Sequence, residues 1–170
     1  ALTGIENIGK YLVRAVRDGS DLEAREGVAF ANNLSGQVMT VSSCTSEHSM
    51  EHAMSAYHQA LPHGAGLIMI SVAYYQHFVD CHVCDERFIT MAKALGKADV
   101  SCAQDFVDAL VQLQKDCGVY DLKMSGFGIL EEELDTLAKN ARETMGGLFG
   151  ADPCALSHEE CVAIFQKSYR

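Results

Sequence analysis

The chain has 170 residues, 48% of them hydrophobic and 21% charged, and a formal net charge of −10. That much apolar residue supports a real core and excludes wholesale disorder. With 23 acidic against 13 basic residues, nucleic acid and anionic membrane surfaces are disfavoured as partners, because phosphate binding needs clustered Lys and Arg. The seven cysteines are scattered and odd in number, and no secretory signal pattern opens the chain. Reduced thiols and a cytoplasmic setting are therefore expected. The first residue is Ala1 rather than Met, which fits a fragment or a processed form of something longer.

Pro62 and Pro153 are the only prolines, and alternation of period two is nearly absent. An all-α fold of about eight helices is expected, as one helical domain over residues 1–170. Ile5, Ile8, Leu12 and Val16 share one face of a first helix that Asp18-Gly19 breaks. Ser20 and Glu23 read as a capping box opening a second helix, on which Ala24, Gly27, Ala31 and Ser35 form a strip of small residues. Thr45 is placed to cap a third helix ending near Tyr57. Pro62-His63-Gly64 starts a fourth, apolar almost all round from Ala65 to Val79. This segment is shorter than the ~20 residues a bilayer needs, and Ser71, Gln76 and His77 interrupt it, so a buried central helix is expected. Helices from about Cys84 to Leu95 and from a capping box at Ser101–Gln104 to Cys117 follow, then a loop over residues 119–128. Glu131 to Met145 reads as a helix with an acidic first turn, and Gly146, Gly147 and Gly150 as a flexible connection. Ser157 and Glu160 cap the last helix.

Four of the seven histidines fall within sixteen positions: His48, His52, His58 and His63. His48 and His52 are spaced i, i+4, so one helical face carries both rings. A helical hairpin would return His63, at the next helix start, beside His48. Neutral imidazole is a common nitrogen ligand for Zn²⁺ and Fe²⁺, and a helix N-terminus disfavours imidazolium. Spacing alone leaves open that these rings only satisfy buried backbone groups. Glu51 stands one position away from an H-E-x-x-H pattern, which weakens a protease reading. Cys81-His82-Val83-Cys84 has no second C-x-x-C to complete a zinc site, so its cysteines read as small packing residues, and His77 as a polar end on a buried helix. His58 reads as a turn residue and reserve ligand, and Asp152 as shaping a turn with Pro153. The methionines Met39, Met50, Met54 and Met69 suit core filling better than a substrate pocket.

The run from Glu47 to Ser55, followed by Leu61-Pro62-His63-Gly64-Ala65-Gly66-Leu67, resembles the metal-binding segment of the iron-containing (group III) alcohol dehydrogenases. That family carries an H-x-x-x-H helix, a short apolar loop, then His-Gly opening a long buried helix. Asp21 to Glu26, Phe127-Gly128-Ile129 through Ala138, and Asp152-Pro153 with Leu156-Ser157 resemble other parts of the same family. The resemblance covers nearly the whole chain and is specific around His48 to Leu67. It implies the C-terminal helical domain of a dehydroquinate synthase-like fold, with the N-terminal α/β dinucleotide-binding domain absent from this chain. It also implies that His48 and His63 are two of four ligands to Fe²⁺ or Zn²⁺, and that His52 lines the active site beside nicotinamide and substrate.

The separation of His52 from His63 is eleven residues where the family has about ten, a loop difference that costs little. His48 is preferred as the first ligand because it keeps the H-x-x-x-H register; His52 in its place is the alternative. Two imidazoles do not complete a four-coordinate site, so this chain alone is expected to hold metal weakly and to catalyse nothing. The complete enzyme would use NAD or NADP and a small alcohol or aldehyde, with homo-oligomerisation left open. A non-catalytic helical module that binds a protein or senses metal is the competing reading.

Overall fold

Caps and breakers set most helix boundaries in the computed structural model, which describes residues 1–170. The eight helices are α1 (Leu2–Arg17), α2 (Leu22–Val41), α3 (Ser46–Tyr57), α4 (His63–Asp80), α5 (Asp85–Ala94), α6 (Gln104–Asp116), α7 (Leu134–Met145) and α8 (His158–Ser168). No strand is present, so the all-α expectation holds. No helix is long and apolar enough to cross a membrane.

Three local expectations need correction. The cap of α2 is Asp21, not Ser20: its carboxylate accepts from the Ala24 amide at 3.0 Å. The supposed capping box at Ser101 is an inverted arrangement. The Asp105 carboxylate reaches back to the Ser101 and Cys102 amides at 2.7 and 2.9 Å, and α6 begins only at Gln104. The glycines after α7 form a short 3-10 turn over Gly146–Ala151 rather than a loose connection. The capping box of Ser157 and Glu160 is present as read. Gly96, Gly118 and Gly128 all take positive φ, which glycine alone adopts without strain.

From the sequence one helical domain is expected; the contacts divide the chain into two compact units, each built from two separate stretches. The first comprises Ala1–Ser43 and Cys84–Tyr120. Here α1 packs along α2, and α5 and α6 complete the unit. The small-residue strip on α2 does what its composition suggests: Ala24, Gly27 and Ala31 are buried, although Ser35 is exposed. A Cβ on Gly27 would stand 2.2 Å from the Tyr11 ring, so the aromatic ring fills the place of the missing side chain. On α1, a Cβ on Gly9 would stand 2.5 Å from the Leu95 carbonyl oxygen, which is backbone and has no rotamer to yield. Phe88 and Phe106 stack at 5.4 Å between α5 and α6. Val16, expected on the buried face of the first helix, is half exposed.

The second unit comprises Cys44–Val83 and Asp121–Arg170. Its core gathers Met50, Met54, Ile70, Tyr74, Phe78, Met124, Ile129, Leu137 and Phe165. Helix α4 is buried along much of its length, as its apolar run requires. Met50, Met54 and Met69 fill core, whereas Met39 lies exposed in the first unit. Asp152 does more than shape a turn. Its Oδ1 accepts from the Ser46 amide at 2.9 Å and the Tyr74 hydroxyl at 2.8 Å, so it caps the start of α3 from 106 residues away. Thr45, expected to provide that cap, makes no side-chain capping bond.

Candidate metal centre

Helix α3 places His48, Glu51, His52 and Ser55 at i, i+3, i+4 and i+7, which is one face. The Leu61-Pro62 turn then returns the chain so that His63 opens α4 against that face. Nitrogen atoms of His48, His52 and His63 lie within 4.8 Å of one another. The ring centroids are 5.2 Å apart for His48–His63 and His52–His63, and 6.4 Å for His48–His52. Three imidazoles converging at this separation suit a divalent cation of borderline softness. His58, the reserve ligand, is not part of this group. It ends α3 with Nε2 3.2 Å from the Glu133 carboxylate, which also accepts from the Leu130 amide at 2.8 Å.

Beneath the rings lies Glu51, fully buried. One carboxylate oxygen contacts His63 Nδ1 and the other accepts from the Ser55 hydroxyl. A carboxylate on Nδ1 holds the proton there and leaves Nε2 with its lone pair, the arrangement typical of metal-bound histidine. Room for Glu51 comes from Gly66, one turn into α4: a Cβ at that position would stand 2.6 Å from Glu51 Cγ. His52 has its Nδ1 2.9 Å from the Met145 sulfur. A thioether only accepts, so the neutral ring carries its proton on Nδ1 and keeps Nε2 free to accept. The Ser49 hydroxyl, donating to the Met145 carbonyl at 2.9 Å, ties α3 to the end of α7 beside this contact.

Burial, and then the neighbouring His63 and His52, lower the His48 pKa below the ordinary imidazole value. The neutral ring, which is the ligand form, is thereby favoured. One turn before Glu51 on α3, burial pushes the Glu47 carboxyl up to about 8, and the Tyr75 hydroxyl donates to it at 3.3 Å.

Glu51, Gly66 and Met145 escape a reading of the sequence. Against an H-E-x-x-H pattern Glu51 is out of register, although its i+3 spacing from His48 brings it to the histidine side of the helix. The clue to Gly66 is its i+3 spacing from His63. Nothing local marks Met145, which reaches His52 across 93 positions.

Over residues 1–169 the chain matches the model of the Fe-containing alcohol dehydrogenase family, C-terminal region. It is 26% identical over 169 residues to alcohol dehydrogenase 4 of Saccharomyces cerevisiae, covering 99% of this chain and 43% of that protein. Against the NAD-dependent methanol dehydrogenase of Bacillus methanolicus it is 31% identical over 158 residues, covering 84% of this chain and 38% of that protein. Among solved structures, an archaeal halo-thermophilic alcohol dehydrogenase from a Red Sea brine pool superposes with a TM-score of 0.90 at 34% identity, covering 98% of this chain and 43% of that one. The chain thus spans less than half the length of these relatives.

Proposed function

The chain belongs to the Fe-containing alcohol dehydrogenase family, and on that premise we propose that it forms the metal-holding helical part of an NAD(P)-dependent alcohol dehydrogenase. The reaction is the interconversion of small alcohols with aldehydes or ketones by hydride transfer. The convergence of three imidazoles within 4.8 Å, over a buried carboxylate, carries this reading. His48 and His63 are the proposed ligands to Fe²⁺ or Zn²⁺. The remaining ligands and the dinucleotide-binding domain are proposed to lie outside these residues.

A cation held there supplies Lewis acidity toward the substrate oxygen. Glu51 keeps the His63 proton on Nδ1 and so fixes which nitrogen faces the cation. His48, neutral through burial and its neighbours, offers a lone pair without first losing a proton. His52 is the proposed catalytic residue beside nicotinamide and substrate. Its Nδ1 is engaged by Met145, which leaves Nε2 to position the substrate hydroxyl or take its proton.

Metal analysis of the complete enzyme tests this. One divalent ion per chain is expected at the histidine centre, over and above any held by thiols, and it is lost in His48→Ala and in His63→Ala. His52→Ala is expected to keep the ion, lower the rate by about 10²–10⁴-fold and alter the pH–rate profile. Retention of metal and activity in both ligand variants overturns the ligand assignment. Loss of the ion in His52→Ala, with its retention in His48→Ala, moves the ligand role to His52.

A further inference from the structure

A second group of ligand-bearing side chains lies in the same unit, at the far end of α4 from His63. His77 and Cys81 are spaced i, i+4 at the helix terminus, and Cys154 joins them from the segment before α8. Their nitrogen and sulfur atoms all lie within 4.8 Å of one another. His77 Nε2 is 3.8 Å from Cys81 Sγ. Glu160, in the first turn of α8, places Oε1 3.9 Å from the same His77 nitrogen. Its other oxygen is held by the Ser157 amide at 2.8 Å, so the capping box aims Oε1 at the histidine. All seven cysteines are free thiols.

We propose that His77, Cys81, Cys154 and Glu160 form a second metal site, for Zn²⁺ or another thiolate-seeking cation, separate from the histidine centre. In a tetrahedral zinc shell, sulfur and imidazole nitrogen stand about 3.5 Å apart, from bonds of about 2.3 and 2.0 Å. The observed 3.8 Å between Cys81 and His77 is within a few tenths of an ångström of that edge. Two thiolates and an imidazole select zinc over hard cations such as Mg²⁺ and Ca²⁺, which prefer all-oxygen shells. The four donors come from three places: the end of α4, the segment after the 3-10 turn, and the start of α8. A cation there is a cross-link for this unit, and it gives Cys81 a role that no C-x-x-C pairing with Cys84 supplies. Cys81 is exposed and the other three ligands are partly so, which gives a metal ion a path in.

Co²⁺ added to the reduced full chain tests the site. A thiolate-to-cobalt charge-transfer band in the near ultraviolet is expected, because imidazole and carboxylate ligands give none. Cys81→Ser and Cys154→Ser should each abolish the band, whereas His48→Ala with His63→Ala should leave it intact. In that His48/His63 double variant one equivalent of Zn²⁺ should still bind, and further substitution of Cys81 and Cys154 should remove it. The proposal is overturned if the reduced chain shows no sulfur band, or if the band survives loss of Cys81 and Cys154. It is also overturned if the two thiols simply form a disulfide in air at the same rate with and without saturating Zn²⁺. Failure of the histidine centre would leave all of these readings unchanged, so the two assignments stand or fall separately.

Discussion

Glu51, wholly enclosed, contacts His63 Nδ1 and thereby holds the proton there, leaving Nε2 of the α4 histidine with its lone pair. Its second oxygen is engaged by Ser55 on its own helix, so the carboxylate is held from two sides. Glu51→Gln preserves shape but replaces one acceptor oxygen with a donor. Metal affinity should fall about 10–100-fold, the usual loss when an orienting partner of a ligand histidine is altered. Competition with a chromogenic chelator measures this; an unchanged affinity would leave Glu51 as packing alone.

Gly66→Ala should act through the same carboxylate. The new Cβ would press on Glu51 Cγ at 2.6 Å, in the middle of a side chain already pinned at its end. We expect metal affinity to drop in the same direction as in Glu51→Gln. Gly64→Ala, whose Cβ meets nothing within 4 Å, is the matched control and should bind metal as the native chain does.

In the other unit the glycines of the α1 packing face rank by what lies opposite them. Gly9→Ala drives a Cβ into the Leu95 backbone, which has no rotamer to yield, and Gly27→Ala into a Tyr11 ring that is only partly buried. Both should destabilise, by about 1–3 kcal/mol or more, with Gly9→Ala the worse. Gly19→Ala has open space and ordinary φ, and it should be neutral or stabilising by about 0.4–1 kcal/mol. Urea midpoints of the three variants check the order.

Asp105 is held well below the usual carboxylate range, first by the Lys97 ammonium at 2.8 Å and then by the Cys102 and Ser101 amides. Its folded-state pKa is depressed, so its stabilising contribution is fully present above the unfolded value near 4 and is lost as pH falls through the folded one. Asp105→Asn should therefore be less stable than the native chain at pH 7. The gap should stay constant down to about pH 5 and then close as acid protonates the carboxylate in the unfolded state. A gap independent of pH between 2 and 7 would contradict this account.

Helix positions and the histidine cluster were legible because their signals are local. Breakers such as Asp18-Gly19 and Gly118, and the i, i+4 pair His48–His52, need only neighbouring residues to be read. What escaped depends on long-range partners. The cap of α3 comes from Asp152, the contact of His52 from Met145, and the thiol cluster joins Cys81 to Cys154, all across seventy or more positions. Ser20 and Ser101 misled for a different reason. In each case the serine hydroxyl donates to an aspartate, Ser20 to Asp18 at 2.6 Å and Ser101 to Asp105 at 3.4 Å, and neither accepts from the helix amide it was expected to cap.

The reach of Asp152 back to Ser46 also bears on the order of events as the chain is made. Helix α3 carries two of the three converging histidines, yet its first turn is secured by a residue synthesised more than a hundred positions later. During translation the two histidines of α3 therefore emerge on a helix whose start still lacks its anchor. A ribosome-stalled chain ending before residue 152 should leave them loosely placed, and cation capture at the proposed centre should follow emergence of Asp152 rather than appearance of the two histidines.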